Sequence, residues 1–100
     1  STIKANLDGV ISSIAISKDG SKIIIGNNMY DTPANNNGVA VVYKKDGADW
    51  VIDDKELPGD AGDKFGRDVD ISADGSIIIV SSAEAPGGAD NGYVRIYKFD

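Results

Sequence analysis

The sequence predicts an all-β protein made of two copies of one four-stranded antiparallel unit. Three observations predict it. The second half of the 100-residue chain repeats the first. The apolar residues fall in short runs rich in Ile and Val, punctuated by Asp-Gly and Asn-Gly turns. No window carries a convincing helical period, and the few helix formers around 53–57 are boxed in by Val51-Ile52 and Pro58-Gly59.

The repeat is read residue by residue. Ile16-Ser17-Lys18-Asp19-Gly20-Ser21 returns as Ile71-Ser72-Ala73-Asp74-Gly75-Ser76, an offset of 55. Ile23-Ile24-Ile25 returns as Ile78-Ile79-Val80 at the same offset. After a one-residue deletion, Asn37-Gly38 returns as Asn91-Gly92 and Tyr43-Lys44 as Tyr97-Lys98. Self-similarity of this kind marks a repeat architecture and outranks any local reading.

Each copy reads as strands in a fixed order. The first strand of copy one is Ser12–Ser17, with Ile14 and Ile16 alternating. The turn at Asp19-Gly20 leads to a second strand, Lys22–Gly26. A polar loop, 27–37, leads to a third, Gly38–Lys44. The turn around Asp46-Gly47 leads to a fourth, Trp50–Leu57. Copy two repeats the first three over residues 67–98.

The pattern within the strands is informative. A sheet with one wet face alternates apolar and polar residues. Here Ile23-Ile24-Ile25, Ile77-Ile78-Ile79-Val80 and Val39-Ala40-Val41-Val42-Tyr43 run unbroken, so both faces want cover. Without helices, that cover comes from other sheets. Four-stranded sheets stacked around an axis are the β-propeller solution, and the repeat is expected to form two such blades. Ile24 and Ile79, the middle residues of their runs, are both expected to be buried between blades.

The residues also resemble a known family. Phe65-Gly66-Arg67-Asp68-Val69-Asp70-Ile71-Ser72, then Asp74-Gly75 and a β-branched run, resembles the FG-GAP type of propeller repeat. Gly38-Val39-Ala40-Val41-Val42-Tyr43 and Asn91-Gly92-Tyr93-Val94-Arg95-Ile96-Tyr97 are similar to its closing Gly-x-Val-x-Val-Tyr element. Trp50 matches the aromatic that opens the outer strand, and 60–66 the linker between blades. The resemblance implies a propeller fold and an extracellular or cell-surface setting. The departures are equally specific. Copy one has Val10-Ile11 for Phe65-Gly66, and Gly-Ala-Pro is eroded to Gly26-Asn27-Asn28 and Ser82-Ala83-Glu84. The Asp-rich calcium loop of the integrin-like members has no counterpart in 17–22 or 72–77, so a metal is not carried over.

Composition narrows the chemistry. There is no Cys and no His, so disulfides, thiolate sites and the commonest general base are absent. Net charge is −6, which argues against nucleic acid and anionic membrane as partners. No apolar run approaches the ~18 residues of a spanning helix. The chain begins at Ser1, which suggests a processed, excised or engineered product. Paired carboxylates such as Asp53-Asp54 occur, yet none has a base, nucleophile or phosphate cradle beside it. The expectation is a non-enzyme without a cofactor.

Candidate ligand residues lie in the two loops between second and third strands, on the face propellers use for ligands. They are Tyr30, Asp31, Asn35, Asn36 and Asn37 in copy one, and Glu84, Asp90 and Asn91 in copy two. Their amides and carboxylates suit sugar hydroxyls or a hard cation, although each is also an ordinary turn former. Asp68 and Asp70 sit on the first strand of copy two and would line an axial channel, unless Arg67 or Arg95 neutralises them. Trp50, Tyr43, Tyr97, Tyr93 and Phe65 suit packing between blades better than sugar platforms. Asp60 and Asp63 flank Gly62 in the linker, where capping a loop is the simplest role.

These readings give an organisation. Residues 1–9 supply an outer strand for the last blade of a neighbouring copy, 10–64 form blade one with its linker, and 65–100 form three strands of blade two. Two blades leave apolar faces bare, so the expected partner is the chain itself, closing a homo-oligomeric ring. Propellers of four to eight blades allow a dimer, trimer or tetramer, with the trimer favoured and the tetramer next. A scaffold whose property is self-assembly is the leading functional expectation. A lectin-like oligomer that binds a glycan or protein through the loops is the alternative.

Overall fold

The structure is a computed structural model that describes residues 2–3, 11–30, 37–53, 56–60, 62–82 and 92–99. The described residues are all-β, in two antiparallel sheets without a helix. The first sheet holds β1 (Ser13–Ile16), β2 (Lys22–Asn27), β3 (Val39–Asp46) and β4 (Asp49–Ile52) in that order, with β5 (Leu57–Pro58) also pairing β3. The second holds β6 (Phe65–Ile71), β7 (Ile77–Ser82) and β8 (Tyr93–Lys98), again in chain order.

Register decides which side chains share a face, because directly opposed residues project the same way. In the first sheet Ala15 opposes Ile24, and Ile24 opposes Val42. In the second Val69 opposes Val80, and Ile71–Ile78–Tyr97 form one row. These two faces meet. Ile24, Ala40, Val42, Phe65, Ile78 and Val80 make one fully buried cluster, flanked by Ala15, Leu57, Val69, Ile71, Tyr93, Tyr97 and Phe99. Burying one such Ile or Val stabilises by about 1.5–3 kcal/mol relative to exposure.

The sheets approach closely at Gly26 and Gly66. A methyl on Gly26 would overlap the Gly66 carbonyl oxygen, and Gly66 has φ +94°. Only glycine accommodates both demands. That carbonyl accepts hydrogen bonds from Ser12 Oγ at 2.9 Å and Ser13 Oγ at 3.0 Å. At the opposite end Asp19 N donates to the Ala73 carbonyl. Lys22 Nζ pairs with Asp53 at 2.9 Å and lies over the Phe99 ring.

The fourth strand differs from the expected continuous Trp50–Leu57. Leu57 comes five positions after Ile52, whereas their partners Tyr43 and Ala40 are three positions apart, so the register shifts by two residues between β4 and β5. Asp53 N donates to the Val42 carbonyl, which extends the β4 pairing by one residue and sets Asp53 on the same face as Lys22. The first strand of the second sheet also begins earlier than expected, at Phe65, with a register irregularity before Val69.

The expected burial of the two middle isoleucines is half met. Ile24 is fully buried, while Ile79 is 38% exposed and the flanking Ile78 and Val80 take the core positions. Alternation along β7 puts Ile78 and Val80 on the inter-sheet face and Ile79 on the opposite one.

Candidate functional site

Each sheet turns one face to the other sheet and one face outward. The outward face of the second sheet is built from the alternate residues of β6–β8. Asp70, Ile79 and Ile96 form one cross-strand row, and Ser81 and Val94 begin the next. Ile77, Ile79, Val94 and Ile96 are all exposed there, Ile96 at 62%. Asp68, Asp70, Ile79, Ser81 and Val94 line a hollow of about 200 Å³.

The outward face of the first sheet divides in two. On the β1 side Ile14 and Ile16 are bare, at 68% and 59% exposure. Towards β3 a second cluster of Ile25, Val39, Val41 and Tyr43 is buried under Ile3, Tyr30 and Trp50. Trp50 also receives Lys45 Nζ over its ring at 5.6 Å. Of the outer strand expected from residues 1–9, Ser1 and 4–9 lie outside the described residues. Thr2 and Ile3 are described and belong to no strand.

Among the loop candidates, Asp31, Asn35, Asn36, Glu84, Asp90 and Asn91 lie outside the described residues. Tyr30 packs on the second cluster, and its carbonyl accepts from Gly38 N. Asn37 is fully buried. Its Nδ2 donates to the Gly38 carbonyl at 2.6 Å, and its own carbonyl accepts from Phe65 N. Tyr30 thus packs on the outward face of the first sheet, while Asn37 is buried where β3 meets Phe65.

Asp68 and Asp70 do share a face, and both are exposed on it. Asp70 Oδ1 accepts from Ile71 N, and Asp68 N donates to Ser81 Oγ at 3.1 Å. Arg95 is not their counter-ion. It projects from the other side of β8, over the Phe65 and Tyr93 rings, and reaches Asp60 at 3.3 Å.

One polar centre exceeded the sequence reading. Asp63 is fully buried and accepts from the Tyr93 hydroxyl, while its main-chain carbonyl accepts from Ser82 Oγ. Burial, with the bond to Asp63 next, pushes Tyr93 up to about 12. Spacing alone could not place a linker Asp beside a tyrosine 30 residues away. The arrangement locks the linker to the start of β8 and offers no nucleophile or paired acid and base.

The described features thus converge on surfaces rather than a pocket with chemistry: two apolar outward faces, one with a protruding Ile14 and the other with a hollow. Comparison of the chain with protein-family models, with curated proteins and with solved structures finds no match.

Proposed function

We propose that the chain is a non-enzymatic, self-assembling module of two β-propeller blades of the FG-GAP kind, whose ring is completed by further copies of itself. The observation that carries this reading is the pair of bare apolar faces. Ile14 and Ile16 on one side and Val94 and Ile96 on the other are more than half exposed in the single chain. Apolar surface distributed on both outer sides of a two-sheet stack suits continued stacking, because each added sheet covers one face and presents the next. Three copies would make six blades, the favoured size, and four copies eight.

Light scattering tests the reading directly. The expected solution mass is three times the 10.5 kDa of one chain, with four times as the next outcome. A folded chain that stays at a single chain's mass at high concentration would overturn it.

A further inference from the structure

The partner face can be specified more closely, and this step rests on the self-assembly reading above. The contact inside the chain supplies the template. Its second-sheet side includes the aliphatic residues Val69, Ile71, Ile78 and Val80 beside the aromatic Phe65, Tyr93 and Tyr97. Subtracting the sequence offset of 55 gives Ile14, Ile16, Ile23 and Ile25, which share the outward face of the first sheet. Its first-sheet side is made by Ile24, Ala40 and Val42. Their counterparts are Ile79, Val94 and Ile96, which share the outward face of the second sheet. Ile23 and Ile25 already pack in the cluster beneath Ile3, Tyr30 and Trp50, so the bare part of the first-sheet half is Ile14 and Ile16, while Ile79, Val94 and Ile96 are all exposed on the second sheet.

We infer that copies dock head to tail, with the Ile14–Ile16 face of one chain on the Ile79–Val94–Ile96 face of the next, in the register of the internal contact. Ile14 is the protruding residue, and it stands where Val69 stands in the internal contact. The hollow lined by Asp68, Asp70, Ile79, Ser81 and Val94 receives it. The corresponding first-sheet positions are Ser13, Ala15, Ile24, Gly26 and Ala40, and there Val69 packs against the cluster that includes Ile24 and Ala40. The centre of the contact falls on β1, where the face is bare, and not on the half covered by Ile3 and Trp50. One end must differ from the template. Ser81 and Ile11 take the places of Gly26 and Gly66, so that end cannot close as tightly.

Complementary blocking variants test the register. Ile14→Asp removes the protrusion and Ile79→Asp spoils the hollow, and both side chains are exposed in the single chain. Each variant alone is expected to scatter as a monomer. An equimolar mixture is expected to give a dimer and nothing larger, because one intact head meets one intact tail. Rings persisting in either variant, or a mixture that stays monomeric beside an oligomeric parent, would overturn the docking register while leaving self-assembly intact. A parent chain that is itself monomeric would overturn both. If either variant fails to fold, an Ile14→Cys/Ile79→Cys chain replaces it. The sequence has no other cysteine, and the two positions lie on opposite outer faces of one chain. Oxidation is expected to give a ladder of cross-linked chains, and an oligomer that fails to cross-link would count against the register.

Discussion

Asp19 and Asp74 occupy the same place in the two Ser-x-Asp-Gly-Ser turns. Asp19 Oδ1 accepts from the Ser17 and Ser21 hydroxyls and from Ser21 N, at 2.6–2.9 Å. Asp74 Oδ1 accepts from Ser72, Ser76 and Ser76 N in the same manner. Three donors on one oxygen favour the ionised form. The Ser21 hydroxyl first, then that of Ser17, holds Asp19 down at about 2, and Asp74 is lowered for the same reasons. A depressed folded-state pKa means that ionisation stabilises the fold. That contribution is complete above the ordinary carboxylate range near pH 4 and is lost as pH falls towards about 2. The Asp19→Asn/Asp74→Asn chain should therefore melt below the parent at pH 7. The gap in Tm should narrow from about pH 4 downward and close only below about pH 2. A gap constant across that range would show that the turns draw no stability from the charge.

At the scale of strands, the two isoleucine runs behave as alternating β residues must. Ile24→Ala opens a cavity between the sheets and should cost about 2–5 kcal/mol in urea unfolding of the single chain. Ile79→Ala, measured dilute enough to avoid assembly, should cost under about 1 kcal/mol, because its side chain is 38% exposed. Equal costs would mean that the faces are assigned wrongly. The comparison also shows what was legible. Strand positions and Asp-Gly turns were readable because β-branched runs and turn dipeptides are local signals. Which member of Ile78-Ile79-Val80 faces inward was not, because an unbroken apolar run carries no alternation to read. Tyr30 and Asn37 looked like loop ligands by composition, and their packing on the first sheet depends on contacts that no spacing rule reports.

Over the whole molecule, charge works against the apolar faces. Each copy carries a net charge of −6, and two of its carboxylates, Asp68 and Asp70, line the hollow proposed to receive Ile14. Docking would partly desolvate both, without Arg95, which points away to Asp60. Burying like charges is costly unless a partner neutralises them. The internal contact avoids that cost, since the first sheet has Ser13 and Ala15 at the corresponding positions and Ser13 Oγ donates to the Gly66 carbonyl. Transplanting those residues should therefore strengthen assembly. The Asp68→Ser/Asp70→Ala chain is expected to associate at least ~10-fold more tightly than the parent, equivalent to about 1.4 kcal/mol per contact. Its association should also respond less to salt. The Debye length shrinks from about 30 Å at 0.01 M to about 10 Å at 0.1 M, so added salt relieves repulsion that the parent suffers and the variant has lost. Sedimentation equilibrium at both ionic strengths reads the two effects together. Weaker association of the variant would mean that the carboxylates meet cations across the contact, and the proposed seat of Ile14 would have to move.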